Sequence, residues 1–209
     1  MIEHILPLGV AVTEAFHDSP ASDLFPQEAR LVEQAVAARR REFATVRRCA
    51  REALARLGLP PVSILPDRHG APRWPAAVLG SLTHCAGYRA AVVAPAAELR
   101  LLGIDAEPDA PLPPGVLESI ALPSELRLVR HLLTRRPQVR WDRALFSMKE
   151  AVYKSWYPHT GQRLEFEDAE LAFDADSPVF TARLRLPAAP ELEGRWMADK
   201  GLLITAIAA

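Results

Sequence analysis

Residues Asp142–Pro158 read DRALFSMKEAVYKSWYP, and the reading of this stretch decides how the rest of the chain is organised. Asp142 can accept hydrogen bonds from the free N–H groups of a first helical turn, and Pro158 cannot continue a helix. Between them Leu145, Met148, Val152 and Trp156 recur at helical spacing and make one face apolar. The other side carries Lys149, Glu150 and Lys154. Glu150 and Lys154, four apart, share a face, and Lys149 lies about 100° round the axis from Glu150. A carboxylate held between two ammonium groups suits metal, phosphate and proton chemistry. By itself the arrangement reads first as a surface salt bridge. The other stretches of the chain reverse that order.

Upstream, Leu101–Pro108 (LLGIDAEP) is an apolar strand carrying Asp105 and Glu107 at i and i+2, on one face. Two like charges there need a counter-charge, and a divalent hard cation such as Mg²⁺ supplies one. A strand end fraying into solvent is the alternative. Further back, ARRREFATVRRCAREALARLG reads as a helix closed by Gly58, with Phe43, Val46, Ala50, Ala53, Leu54 and Leu57 as its apolar face. Arg40, Arg47 and Arg51 fall within roughly 40° of one another on a neighbouring face. Arg41 and Arg48 flank them, and Arg39 stands at the entry. Guanidinium forks match phosphate oxygens, so this face fits phosphate as well as it fits solvent.

Ser81–Cys85 and Tyr88–Ala94 read as a hairpin around an Ala-Gly turn, and Ile5–Val12 as a first strand. Two short helices are expected at about 115–121 and 124–134, and antiparallel strands at 170–173, 179–186, 195–198 and 202–208. Each half of the chain therefore combines helices with a small antiparallel sheet, an α+β pattern with a division near residue 105.

The totals exclude several classes. A chain of 209 residues with net charge −1 has no global field pointing to nucleic acid or membrane. No run is long and apolar enough to span a bilayer, and the N-terminus lacks the pattern of a secretory signal. Cys49 and Cys85 are too few for a disulfide framework and lack metal-ligand spacing, so a reducing cytoplasm is expected. In a strand His84 and Cys85 point to opposite faces and are poorly placed to act on each other.

Taken together, GAPRWP (70–75), GSLTHCAGY (80–88), GIDAEP (103–108), VLESIALPSE (116–125) and FSMKEAVYK (146–154) resemble the 4′-phosphopantetheinyl transferases. The likeness is to the monomeric surfactin/enterobactin class and its actinobacterial branch, over roughly residues 28–207. GID-x-E followed by KE-x-x-x-K is its specific part. The resemblance implies a pseudo-twofold molecule of two similar α+β halves with the active site in the cleft between them. In that scheme residues 1–104 supply the nucleotide contacts, and residues 105–209 the metal and catalytic groups. It implies transfer of the phosphopantetheine arm of coenzyme A to a serine of an apo acyl or peptidyl carrier protein, releasing adenosine 3′,5′-bisphosphate. Such carriers belong to fatty acid, polyketide or nonribosomal peptide synthases.

Carried over by residue, Asp105, Glu107 and Glu150 would hold Mg²⁺, or chemically similar Mn²⁺. Lys149 and Lys154 would approach the phosphates, and Glu150 and Lys154 would be the catalytic pair. Thr83 and His84 would contact the nucleotide phosphates, and Arg39 and Arg47 the adenosine 3′-phosphate region. Related sequences carry a lysine where this chain has Pro66, and Arg68 is the expected substitute. Arg127, Arg130, Arg135, Arg136 or Arg140 would help dock an acidic carrier, with a solvated arginine face as the other reading. No nucleic acid or membrane partner is expected. Two other functions remain open: a Mg²⁺-dependent phosphohydrolase acting on a nucleotide-like diphosphate, and a non-catalytic module that binds carrier proteins.

Overall fold

A computed structural model describes residues 1–19 and 23–209. The α+β class is the observed one. In chain order the elements are a 3₁₀ turn Ile2–Ile5, β1 Ala11–Ala15, α1 Pro26–Leu31, α2 Ala37–Arg56, β2 Val78–Cys85, β3 Tyr88–Pro95 and β4 Leu102–Pro108. They continue with α3 Val116–Ile120, α4 Pro123–Arg135, α5 Trp141–Thr160, a 3₁₀ turn Phe166–Asp168, β5 Ala169–Phe173, β6 Val179–Leu184, β7 Glu191–Asp199 and β8 Leu202–Ala208. Two antiparallel sheets result, one ordered β1-β3-β2 and the other β4-β8-β7-β6-β5. Each sheet carries one long helix, α2 on the first and α5 on the second.

The first strand begins later than the hydropathy suggests. Ile2 and Ile5, one helical turn apart, are buried in a 3₁₀ turn against Leu202, Ile204 and Ala206, and Gly9 takes a left-handed φ of 96°. That glycine turns the chain before it can extend. The expected boundary between residues 104 and 105 cuts through β4, which pairs along its whole length with β8.

The two sheets meet without backbone pairing. Ser81 Oγ accepts the N–H of Ile104 at 3.0 Å and Thr83 Oγ1 accepts that of Ala106 at 2.9 Å. Two hydroxyls at i and i+2 on β2 thus satisfy donors on the otherwise unpaired edge of β4.

Helix α5 lies directly on β4. A Cβ on Gly103 would collide with Ala151 O and Ser155 N of the helix, so only glycine permits this approach. The apolar face of α5 behaves as its spacing predicts: Leu145, Met148 and Val152 are wholly buried and Trp156 is 8 % exposed. At roughly 1.5–3 kcal/mol for each such side chain, this burial fixes the helix's rotation and so the direction of Glu150. Both expected ends shift. Asp142 lies inside the first turn, where Oδ2 accepts Leu112 N at 2.8 Å, and the helix starts at Trp141. It runs two residues past Pro158 and ends at Gly161, whose φ of 69° closes it.

Candidate active site

A cavity of about 680 Å³ opens between the halves. One wall comes from α2, β2 and the loop before β2, with Arg39, Arg47, Thr83 and His84. The facing wall comes from β4 and α5, with Asp105, Glu107, Glu150 and Lys154.

The two carboxylates of β4 are held alike. Asp105, 3 % exposed, accepts from Lys154 Nζ at Oδ1 at 2.6 Å, and its buried Oδ2 has no hydrogen-bond partner among the described residues. Glu107 gives Oε2 to Arg143 Nη1 at 2.9 Å and keeps Oε1 free of any hydrogen bond or ion pair among the described residues. Glu150, half-buried, makes neither kind of contact among the described residues. The short-range pairing of Glu150 with Lys154 is therefore not formed: the lysine crosses to Asp105 instead.

Burial raises the Glu150 carboxyl above its ordinary value; Lys154 opposes this and Asp105 adds to it. Burial also raises Glu107, with Asp105 adding and Arg143 opposing. For Lys154 burial works against the charge, but Asp105, Glu150 and Glu107 together outweigh it, so the ammonium is held more firmly than usual. Three carboxylates on one cavity, each with uncommitted oxygen, form a donor set that suits Mg²⁺ or Mn²⁺. Like charges repel, and among the described residues no three His, Cys, Asp or Glu side chains are already gathered as a metal cluster.

The opposite wall is basic. Arg47 is 7 % exposed; Nε donates to Ile64 O at 2.8 Å and its guanidinium lies over the Phe43 ring at 4.2 Å. Burial lowers its pKa to about 10. Arg39 pairs with Glu42 and approaches His84 Nε2 at 3.2 Å, while His84 Nδ1 lies 3.2 Å from Glu42 Oε1. Burial lowers the His84 pKa; Glu42 opposes this, and Arg39, Lys154 and Arg89 reinforce it. A neutral ring protonated on Nδ1 satisfies both contacts: it donates to Glu42 and accepts from Arg39. Thr83 is buried with its hydroxyl occupied by the β2–β4 junction. It lines the cavity, and its hydroxyl also lies 3.4 Å from Asp105 Oδ1.

Two expected phosphate groups stand elsewhere. Lys149 points into the core, not the cavity: Nζ pairs with Glu125 at 2.8 Å and donates to Phe166 O at 2.7 Å and Ala169 O at 2.8 Å. The 100° separation from Glu150 turns it inward, where a buried glutamate and two carbonyls satisfy all three of its donors. Arg68 is exposed and is not among the residues lining the cavity. Its loop is closed by the pairing of Pro66 with Pro72 and by Asp67, which accepts His69 N, Ala71 N and the Tyr157 hydroxyl. Both cysteines lie outside the cavity lining, and burial raises their thiols to about 11 for Cys49 and about 12 for Cys85.

Sequence reasoning missed Tyr153, Tyr157, Glu42 and Arg143. Tyr153 and Tyr157 follow Glu150 at i+3 and i+7, so helical spacing alone places them on the cavity face. Arg143 acquires its partner only through the tertiary fold, and Glu42, besides its local pair with Arg39, meets His84 only there.

The geometry is that of an α+β protein presenting acids and bases across one cleft, and comparison with known proteins places it. A family model described as the 4′-phosphopantetheinyl transferase N-terminal domain matches residues 27–94, and one for the 4′-phosphopantetheinyl transferase superfamily matches residues 101–200. The chain is 54 % identical over 218 residues to 4′-phosphopantetheinyl transferase Svp of Streptomyces mobaraensis, covering all of this chain and 89 % of that one. It is 45 % identical over 222 residues to 4′-phosphopantetheinyl transferase PptT of Mycobacterium tuberculosis, covering 99 % and 97 %. With 4′-phosphopantetheinyl transferase Npt of Nocardia iowensis it shares 43 % over 223 residues, covering 100 % and 99 %. The chain belongs to the 4′-phosphopantetheinyl transferase superfamily.

Proposed function

We propose that this chain transfers the 4′-phosphopantetheine arm of coenzyme A to the serine of an apo acyl or peptidyl carrier protein. The observation that carries the proposal is the set of uncommitted oxygens on Asp105, Glu107 and Glu150, facing the guanidinium groups of Arg39 and Arg47 across one cavity. Asp105, Glu107 and Glu150 would hold Mg²⁺ there. Its chemistry there would be to neutralise charge on the pyrophosphate oxygens.

The chain's own residues then divide the work. Arg39 and Arg47 orient the adenosine bisphosphate portion by charge-assisted hydrogen bonds, with His84 beside them. Glu150, its carboxyl raised by burial, takes the proton of the carrier serine hydroxyl. The serine oxygen forms its bond to the phosphorus bearing the pantetheine arm, and the bridging P–O bond to adenosine 3′,5′-bisphosphate breaks. Lys154, tied to Asp105 and firmly protonated, offsets charge on the departing phosphate. No enzyme nucleophile is required. The enzyme acts as a cytoplasmic monomer on carriers of fatty acid, polyketide or nonribosomal peptide synthases, and no helix among the described residues is long and apolar enough to cross a membrane.

Incubation with CoA, Mg²⁺ and an apo carrier, followed by intact-mass analysis, tests this. A transferase adds the phosphopantetheine mass to the carrier in step with CoA loss. CoA cleavage without carrier modification would mark a phosphohydrolase, and carrier binding with no chemistry a docking module.

A further inference from the structure

We propose that Arg143 is the positioning residue of the metal site, fixing Glu107 by one oxygen so that the other is presented to the cation. The inference rests on the metal role assigned above to Asp105, Glu107 and Glu150.

Arg143 stands two turns before Glu150 on α5 and is not among the residues lining the cavity. Each of its three guanidinium nitrogens is committed to one short segment. Nη1 pairs with Glu107 Oε2 at 2.9 Å, Nε donates to Ala110 O at 3.1 Å, and Nη2 donates to Pro111 O at 2.8 Å. Neighbouring contacts fasten the same segment: Leu112 N donates to Asp142 Oδ2 at 2.8 Å and Arg140 N to Asp109 Oδ1 at 2.9 Å. The end of β4 is therefore clamped to the first turn of α5, and the Glu107 side chain, 19 % exposed, is held against rotation.

Asp105 repeats the pattern two residues earlier, with Lys154 holding one oxygen and the other left over. Both strand carboxylates are thus oriented by cations from the one helix that carries Glu150. Carboxylates that ligate metals are commonly fixed in this way by an outer hydrogen-bond partner, whose loss weakens metal binding. Removing Arg143 also removes a positive charge, which by itself would favour a cation. That charge is already offset by Glu107 and two carbonyls, so loss of orientation dominates. The planar guanidinium spreads three donors over the separated acceptors Glu107, Ala110 O and Pro111 O, whereas a lysine ammonium is a compact point charge that would hold Glu107 less rigidly.

The experiment titrates full-length protein with Mn²⁺ in the presence of CoA, following free Mn²⁺ by electron paramagnetic resonance. CoA affinity is measured separately in EDTA by calorimetry. Arg143→Met should raise the Mn²⁺ Kd about 10–100-fold while CoA affinity in EDTA stays unchanged. Arg143→Lys should recover part of the loss. Unchanged or tighter Mn²⁺ binding by Arg143→Met overturns the inference, as does a parallel loss of CoA affinity in EDTA. If Arg143→Met does not fold, Arg143→Lys decides: weaker Mn²⁺ binding supports the inference and wild-type binding overturns it. A wild-type protein that binds no Mn²⁺ would remove the underlying metal assignment, an outcome distinct from failure of Arg143's role alone.

Discussion

Lys149→Met should destabilise the protein rather than disarm it. The substitution leaves Glu125 as an uncompensated carboxylate in the core between α4, α5 and β5. The pair is 2.8 Å apart with side chains 1 % and 0 % exposed. Lys149 donates to two carbonyls besides, and Glu125 accepts Leu122 N at 2.7 Å and Leu171 N at 2.8 Å. Breaking one half of such a pair costs about 3–5 kcal/mol. For a chain of this size each kcal/mol lowers Tm by about 2–4 °C, so a fall of about 6–20 °C is expected. Differential scanning calorimetry reads that fall, and titration with CoA well below Tm should give near wild-type affinity. In Lys149→Met/Glu125→Gln part of the loss should return, a coupling of about 1–3 kcal/mol. A Lys149→Met protein with wild-type Tm and CoA affinity reduced tenfold or more would refute this reasoning and return the lysine to the phosphates.

Three further outcomes follow from the same geometry. In the metal-free protein burial raises the Glu150 carboxyl above its ordinary value. The folded state then holds that proton more tightly than the unfolded chain, and stability present at low pH is lost as pH rises through the raised value. Glu150→Gln should accordingly raise Tm at neutral pH while lowering kcat about 10²–10⁴-fold, and a lowered Tm would contradict the shift. Arg47→Ala should abolish discrimination between CoA and 3′-dephospho-CoA in calorimetric titrations, a loss of about 1.5–3 kcal/mol; retained discrimination would place the 3′-phosphate elsewhere. Charge reversal at the exposed Arg127, Arg130, Arg135 or Arg140 should raise KM for the carrier and leave KM for CoA alone, whereas Arg136 already pairs with Asp176 at 2.5 Å. The opposite KM pattern would move the docking face off these arginines.

What the sequence made legible was whatever depends on periodicity. Alternation in β4 put Asp105 and Glu107 on one face, and the 3.6-residue period gave α5 its buried and cavity-facing sides. Charge pairing was not legible, because it depends on partners far along the chain. Lys154 meets Asp105 rather than Glu150, Lys149 meets Glu125, and Arg143 meets Glu107. A lysine next to a cavity-facing glutamate is expected outside the core, which is why Lys149 reads from sequence as a cavity residue. Only its fully bonded buried site makes the inward direction affordable. Local exceptions to general rules explain the shifted ends of elements. Pro158 sits within the last turn of α5, and the Ile2–Ile5 turn replaces the start of a strand.

The central claim is that Glu150 is the base of a carrier-modifying transferase. Intact-mass analysis of an apo carrier incubated with CoA and Mg²⁺, using wild-type and Glu150→Gln proteins side by side, tests it most directly. Wild type should convert the carrier to its phosphopantetheinyl form, and Glu150→Gln should leave it apo although CoA remains bound. Full modification of the carrier by Glu150→Gln would contradict the account.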